Sequence, residues 1–247
     1  MQADTKTIKK SFAKSIDKYS EHAVVQNLTA KILATEIAKI ETDFKTVLEI
    51  GAGAGVLTEQ VREKLCFETF FANDLTEKSE KYVKKILPSS KFFAGDFRRI
   101  NFRQKFDLII SNAVFQWFDN PEKVFSMCKN LLNPNGILAF TTFDKDNFSE
   151  LKNITGLTLD YKTADEWKVL LGKDFEIIFD HGFEHVLYFD NPLEILAHLK
   201  NTGVNSLSEK PFSVLQVKKL CENYRHAYPD LRLTYKPLVF IVRNTAD

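Results

Sequence analysis

The sequence predicts an α/β fold, a mostly parallel sheet covered by helices on both faces. Two observations carry this expectation. From about residue 45 to 143, short apolar runs alternate with segments of helical period. The first run, Val47-Leu48-Glu49-Ile50, passes directly into the turn Gly51-Ala52-Gly53-Ala54-Gly55. The bulk agrees, because 247 residues with 44% hydrophobic content bury a full core and suit one large domain.

The first 45 residues precede the sheet. Ile8, Phe12, Ile16 and Tyr19 fall on one helical stripe, and Leu28, Ile32 and Ile37 continue an apolar face on a second helix. Strands are expected at 47–50, 70–73, 92–94, 107–111 and 136–143, near-continuous apolar runs of the kind buried on both faces. A helix starts near Val56, with Leu57, Val61 and Leu65 on one face. Thr76 opens another, carrying Tyr82, Val83, Ile86 and Leu87 until Pro88 stops it. Asn120-Pro121-Glu122 opens a third, with Val124, Phe125, Cys128, Leu131 and Leu132 on its buried stripe. Beyond Phe143, Thr163 and Glu166 form a capping box ahead of Trp167, Leu170 and Leu171, and Gly172 ends that helix. Residues 175–189 read as strand with a bend at His181-Gly182, and residues 235–242 as the last strand. Between them, Asn191-Pro192-Leu193-Glu194 caps a helix through about Lys200, and Ser213 with Gln216 caps one more. The single domain thus divides into a helical cap (1–45), a core (46–189), a helical insertion (190–232) and a last strand (233–247); cap and insertion are candidate lids.

Composition excludes several classes. A formal charge of +1 argues against nonspecific nucleic-acid binding. Cys66, Cys128 and Cys221 lie far apart and read as reduced packing residues, so neither a disulfide framework nor a zinc site is expected. No apolar stretch approaches the ~20 residues of a membrane span, and no apolar signal core follows the N-terminal lysines. A cytoplasmic monomer without a metal is the expectation.

The glycine turn is the most informative local feature. A ligand can lie directly on backbone there, because no side chain holds it off. Dinucleotide sites want Gly-x-Gly-x-x-Gly, and Val56 occupies the position of the third glycine. The pattern behind Glu49 instead resembles motif I of S-adenosylmethionine-dependent methyltransferases. Asp74 ends the second strand, where a carboxylate accepts from both hydroxyls of a ribose; a solvated charge at the start of the next helix is the alternative. Leu75, which follows it, belongs to the same site. Asp96, after Gly95, can accept from the adenine amino group, and Phe97 can cover the ring. Ser111-Asn112-Ala113 would line the floor beneath the methionine part. Glu49 is expected to hold the glycine loop, with a salt bridge to nearby lysines as the alternative. These groups stand at the carboxyl ends of successive strands, where doubly wound sheets bind ligands.

The acceptor is narrowed first by exclusion. No Asn/Asp-Pro-Pro-Tyr follows the fourth strand, no cysteine sits in a Pro-Cys setting, and the five histidines are scattered. Gln116-Trp117, closing the run that begins at Ser111, then resembles the signature of the methyltransferases that make the malonyl-acyl carrier protein methyl ester in biotin synthesis. Phe12, Tyr19, His22-Ala23 and Gln26 are similar to that family's opening. Leu187-Tyr188-Phe189 and the run His198-Leu199-Lys200-Asn201-Thr202-Gly203-Val204-Asn205 resemble its late segment, and Leu233-Thr234-Tyr235 its last strand. The resemblance runs from about residue 10 to 243. Ala52 and Ala54 depart from it, standing where Cys and Thr are common.

The resemblance implies a Rossmann-like seven-stranded methyltransferase sheet with helical N-terminal and late-insertion lids. It implies S-adenosylmethionine as methyl donor, S-adenosylhomocysteine as product, and malonyl thioester on an acidic acyl carrier protein, or malonyl-CoA, as acceptor. A malonyl carboxylate, with a pKa of ~4 like Asp, is ionised at neutral pH and needs no general base. Positioning then supplies much of the rate, and a dry pocket favours a step in which charge is neutralised. Tyr19, Gln116 and Trp117 are the expected neutral donors near the acceptor, with closure of the cofactor pocket the alternative for Tyr19 and plain core packing for Trp117. Lys200, with a solvated helix-end lysine as its alternative, and His198 are placed with the substrate. Basic residues around the entrance (Lys6, Lys9, Lys10, Lys14, Arg98, Arg99, Arg103 and Lys105) are candidates for meeting the carrier. Two rivals stay open: another small-molecule O- or C-methyltransferase, such as one acting on a quinone precursor, and a non-catalytic binding subunit on the same fold.

Overall fold

The computed structural model describes residues 5–156, 159–202 and 212–245. Gly203, Val204 and Asn205 of the late run lie outside the described residues, as does the Lys6 side chain. Two helices, α1 (Thr5–His22) and α2 (Val24–Ile40), precede the sheet. The core then alternates as β1 (Asp43–Ile50), α3 (Val56–Lys64), β2 (Cys66–Asp74), α4 (Ser79–Ile86), β3 (Lys91–Ala94), β4 (Phe106–Asn112), α5 (Pro121–Leu131) and β5 (Leu132–Phe143). Beyond it come α6 (Ser149–Thr155), α7 (Ala164–Leu171), β6 (Phe175–Gly182), β7 (His185–Tyr188), α8 (Pro192–Asn201), α9 (Val214–Ala227), β8 (Arg232–Tyr235) and β9 (Pro237–Asn244).

Seven strands form one sheet in the order β3-β2-β1-β4-β5-β9-β6. β1 to β5 pair in parallel, and β9 runs antiparallel between β5 and β6. Alternation along each strand sends side chains to two cores. Leu48, Ile109, Leu138, Phe140 and Phe240 meet α5 and α7 on one face, while Val47, Leu108, Ile110, Ala139 and Ile241 meet α2 and α3 on the other. Phe140 is fully buried, stacked on Phe115 at 4.4 Å and on Phe240 at 5.4 Å between ring centroids. A third cluster joins Val25 of α2 to α6, α8, α9 and β8, and reaches Ala113 after β4.

Several sequence expectations need correction. β1, β2 and β5 start earlier than their apolar runs, because residues ahead of those runs still pair with neighbours, whether exposed or half-buried (Asp43 with Cys66, Thr46 with Thr69) or buried (Leu132 with Phe106). Leu132 is therefore the first residue of β5 and not the last of a helix. α4 opens at Ser79, three residues after Thr76. The Thr76 N–H turns back to Asp74 Oδ1 at 2.8 Å, and the Lys78 N–H reaches Thr76 Oγ1 at 3.3 Å, local bonds that compete with a helix. α2 buries Val25, Thr29, Leu33 and Ile37, whereas Leu28 and Ile32 are half-buried.

The end of the chain is not one strand. β8 pairs with β7 in a separate two-stranded ribbon, and only β9 joins the main sheet. Between them the Lys236 N–H donates to Asn147 Oδ1 at 2.9 Å, its carbonyl accepts from Asp144 N at 2.8 Å, and Pro237 has no N–H to give. The 175–189 run divides in the same way into β6 and β7. The capping boxes at Thr163–Glu166 and Ser213–Gln216 are both formed, and Asn120 and Asn191 cap α5 and α8. Gly172 ends α7 with φ −63°, so it uses no left-handed turn.

Phe140 sits where the sheet, α5 and α7 meet. Phe140→Ala is expected to cost about 3–5 kcal/mol in urea denaturation; a loss under about 1 kcal/mol would show that the aromatic stack does not carry this face.

Candidate active site

A cleft of about 1060 Å³ opens over the carboxyl ends of β1, β2 and β4. Its floor is the glycine turn, with φ of +74°, +52° and +81° at Gly51, Gly53 and Gly55. A Cβ built on Gly53 meets nothing nearer than the Gly51 carbonyl at 4.0 Å, so bare backbone faces the cleft there. Gly55 differs. It is not among the cleft-lining residues, and a Cβ on it would stand 2.5 Å from Ile86 Cδ1. Its work is to let α3 start against α4.

Asn73 holds the turn in place. Its carbonyl accepts from Gly51 N at 2.8 Å and Ala52 N at 3.0 Å, and its buried amide donates to the Phe93 and Gly95 carbonyls, both at 2.9 Å. Sequence reading passed over this residue, since an asparagine inside a strand carries no pattern of its own. Asp74 comes next. Its Oδ2 accepts from Gly53 N at 2.9 Å and its Oδ1 from Thr76 N at 2.8 Å. Burial nevertheless holds this carboxyl above its ordinary range, the backbone hydrogen bonds pulling the other way.

Glu49 is 1% exposed and lines the cleft. It takes a 2.5 Å hydrogen bond from Thr58 Oγ1 on α3, and no lysine pairs with it among the described residues. Burial, with the charge of Asp74 adding to it, pushes its carboxyl up to about 8. Asp96 is clamped by its neighbour: Arg98 gives it a backbone N–H at 3.0 Å, Nε at 2.9 Å and Nη2 at 2.7 Å. That pairing holds the Asp96 carboxyl below its usual range, and Arg98 also spans 5.7 Å to the Phe118 ring. Leu75, Phe97, Asn112 and Ala113 line the cleft, whereas Ser111 does not, its hydroxyl donating to the Ile50 carbonyl at 2.7 Å. Asn112 Oδ1 accepts from Thr29 and Thr141 hydroxyls at 2.8 and 2.6 Å, and its amide donates to Gln26 O at 2.9 Å, tying α2 to the strand ends.

The helical stripe of α1 forms the opposite wall, with Ile8, Lys9, Phe12, Ile16 and Tyr19 lining the cleft. Burial raises the Tyr19 hydroxyl well above its ordinary value, so it is a neutral donor. Trp117 meets Phe12 edge-on at 5.9 Å. Gln116 is not brought to this cleft. Its amide donates to Ala113 O at 2.8 Å and accepts from Thr142 Oγ1 at 3.3 Å, and it lines a second pocket. His198 is also elsewhere: buried, its Nε2 lies 2.7 Å from the Tyr235 hydroxyl, and burial lowers its ring to about 4. Lys200 is exposed at the end of α8. Among the described residues, no group of His, Cys, Asp and Glu is arranged to hold a metal, and no helix is long and apolar enough to cross a membrane.

Comparison with known proteins adds to this geometry. Residues 48–140 match a family profile described as a methyltransferase domain. The malonyl-acyl-carrier protein O-methyltransferase of Haemophilus influenzae is 34% identical over 97% of this chain and 95% of its own length. That of Calditerrivibrio nitroreducens is 35% identical over 98% of each. Among solved structures, the N-methyltransferase NodS from Bradyrhizobium japonicum, in complex with S-adenosyl-L-homocysteine, superposes with a TM-score of 0.58. It is 12% identical over 97% of this chain and 100% of its own, a likeness of fold.

Glu49 makes stability depend on pH in a definite direction. Its carboxyl titrates near 4.5 when exposed and at about 8 when folded. Between those values the unfolded chain has lost a proton that the folded chain keeps, so stability falls as pH rises across the interval, at up to about 1.4 kcal/mol per unit. Urea denaturation between about pH 5 and pH 8 should show this loss in the parent protein and a flatter profile in Glu49→Gln; superimposable profiles would mean that Glu49 is ionised in the fold.

Proposed function

The chain belongs to the malonyl-acyl-carrier protein O-methyltransferase family, and we propose that it transfers a methyl group from S-adenosylmethionine to the free carboxylate of a malonyl thioester on acyl carrier protein. The product is the methyl ester that starts pimeloyl and biotin synthesis. The observation that carries this reading is full-length likeness to relatives of that name joined to a cleft floored by bare backbone and buried acid.

The cleft fits the donor chemically. Each Asp74 oxygen takes one backbone N–H, the Ser79 hydroxyl also acts on the carboxylate, and the remaining acceptor capacity suits neighbouring ribose hydroxyls. Gly53 offers the backbone approach that a side chain would block. Asp96 already takes two Arg98 donors on each oxygen, so an exocyclic amine would bind it by displacing one of them, and buried Phe97 packs beside it. Glu49 and Asp74, both burdened by desolvation, favour a ligand that brings positive charge. When bound, S-adenosylmethionine supplies an electrophilic methyl on a sulfonium.

The chain's own residues then have three tasks. Tyr19 and Trp117 orient the acceptor as neutral donors, Tyr19 because burial keeps its hydroxyl protonated. Neutral donors matter, since a tight cation would stabilise the ionised ground state more than a transition state in which charge is disappearing. Arg98 lines the cleft, but its charge is already matched by Asp96. The apolar α1 wall (Ile8, Phe12 and Ile16) excludes water, and α1 acts as a lid. No base is required, because the acceptor arrives ionised. Lys10 and Lys14, exposed on α1 beside the Lys9 lip, offer a surface for the carrier protein. His198 and Tyr235 tie α8 to β8 behind the lid.

A methyl-transfer assay with malonyl-, succinyl- and acetyl-carrier protein tests the assignment. Malonyl alone is expected to be methylated, giving an alkali-labile ester; transfer to a phenolic acceptor in its place would overturn the reading. Asp74→Asn removes a charged acceptor and should weaken S-adenosylmethionine binding by about 10- to 100-fold in calorimetry. Unchanged affinity would take Asp74 out of the cofactor site.

A further inference from the structure

A second, smaller pocket of about 520 Å³ shares Trp117 and Phe118 with the cleft, so these two rings are the wall between them. Its far side is built by Asp160, Tyr161 and Lys162, and by Trp167 at the start of α7. Trp167 is 2% exposed, and its indole N–H has no hydrogen-bond partner. Leaving such a donor buried and unpaired costs about 1–3 kcal/mol, and buried tryptophans ordinarily find an acceptor. Gln116 adds a second donor: one amide hydrogen is spent on the Ala113 carbonyl and the other remains for a ligand.

Charge decides what kind of ligand suits the pocket. Among the lining residues Asp119 and Asp160 stand beside one amine, Lys162, and the Arg98 guanidinium of the neighbouring cleft also acts on Asp119. With the lining acids matched in this way, no free cation is left among the described residues of the pocket to draw in a malonyl carboxylate, and the carboxylate oxygens suit amide N–H groups. The set of donors (Trp167, Gln116 and Lys162) matches amide carbonyls. A neutral chain carrying both halves of the peptide group satisfies every feature at once.

We propose that this second pocket receives the pantetheine arm of the acyl thioester. An amide carbonyl of the arm takes the Trp167 N–H, its amide N–H groups face Asp119 and Asp160, and the thioester crosses at Trp117 so that the acyl carboxylate alone enters the cofactor cleft. The inference rests on the acceptor reading given above, and it adds the division of one substrate between two pockets. It also explains why Gln116 turns away from the cleft.

Two acceptors separate the effects in the intact chain: S-malonyl-pantetheine, and an S-malonyl ethyl thioester that lacks amides. The pantetheine thioester is expected to have the lower KM by about tenfold or more, one to two hydrogen bonds' worth. Trp167→Phe should raise that KM about three- to tenfold, with kcat, the ethyl thioester KM and S-adenosylmethionine affinity unchanged. Asp119→Asn with Asp160→Asn, at exposed positions, gives the same split should the tryptophan variant fail to fold. A binding readout needs no turnover. Both tryptophans of the chain line this pocket, so free pantetheine should change their emission saturably. Equal KM values for the two thioesters in the parent enzyme, or no fluorescence response to pantetheine, would overturn the proposal while leaving carboxyl methylation standing. Failure of malonyl-carrier protein itself to be methylated would instead remove the acceptor reading.

Discussion

Asn73 is the point on which the site depends. Three parallel strands end side by side at β1, β2 and β3, and each turn that follows leaves peptide groups without a strand partner. One buried asparagine satisfies both sides of that deficit: its carbonyl accepts from the glycine turn and its side-chain amide donates to two carbonyls at the end of β3. Buried polar groups left unpaired cost about 1–3 kcal/mol each, so this residue fixes the height of the turn relative to its neighbours. Asp74 inherits its position from it and reaches across to the Gly53 N–H. The cleft floor is thus a hydrogen-bonded unit before any ligand arrives.

On that floor, desolvation sets the electrostatics. It raises the carboxyls of Glu49 and Asp74, raises the hydroxyl of Tyr19, and lowers the ring of His198 behind the lid. Each of these groups is biased toward its uncharged form. A reaction between a carboxylate and a sulfonium loses charge as it proceeds, and a desolvated site opposes that step least. The exception is the Asp96–Arg98 pair, whose charges cancel locally.

The helical segments outside the sheet are integrated by polar ties as well as by apolar packing. Asn112 receives two hydroxyls and holds the Gln26 carbonyl, so α2 cannot shift without disturbing the strand end that borders the cleft. Buried Glu150 on α6 accepts from the Thr234 backbone N–H at 3.1 Å and from its hydroxyl, fastening the β7–β8 ribbon. These ties give α1 a fixed base from which to form the outer wall, and they leave the wall itself apolar.

Local order was legible in the chain alone. Helix caps at Asn120, Thr163, Asn191 and Ser213, the glycine turn, and the apolar strand centres all depend on neighbours within a few residues, so their patterns survive in one dimension. The α1 stripe was legible as a stripe; that it lines a cleft and not the core required seeing what lies opposite. The sequence by itself determined the order of elements as far as β5 and the acids at the strand ends. Tertiary structure alone decided that Asn73 and Asn112 are the clamps, that Gly55 serves helix packing, that Gln116 turns to a second pocket, and that β8 leaves the main sheet. The reason is common to all four: a side chain's direction, or a strand's partner, is set by groups distant in sequence whose hydrogen bonds and contacts exist only after the sheet has closed.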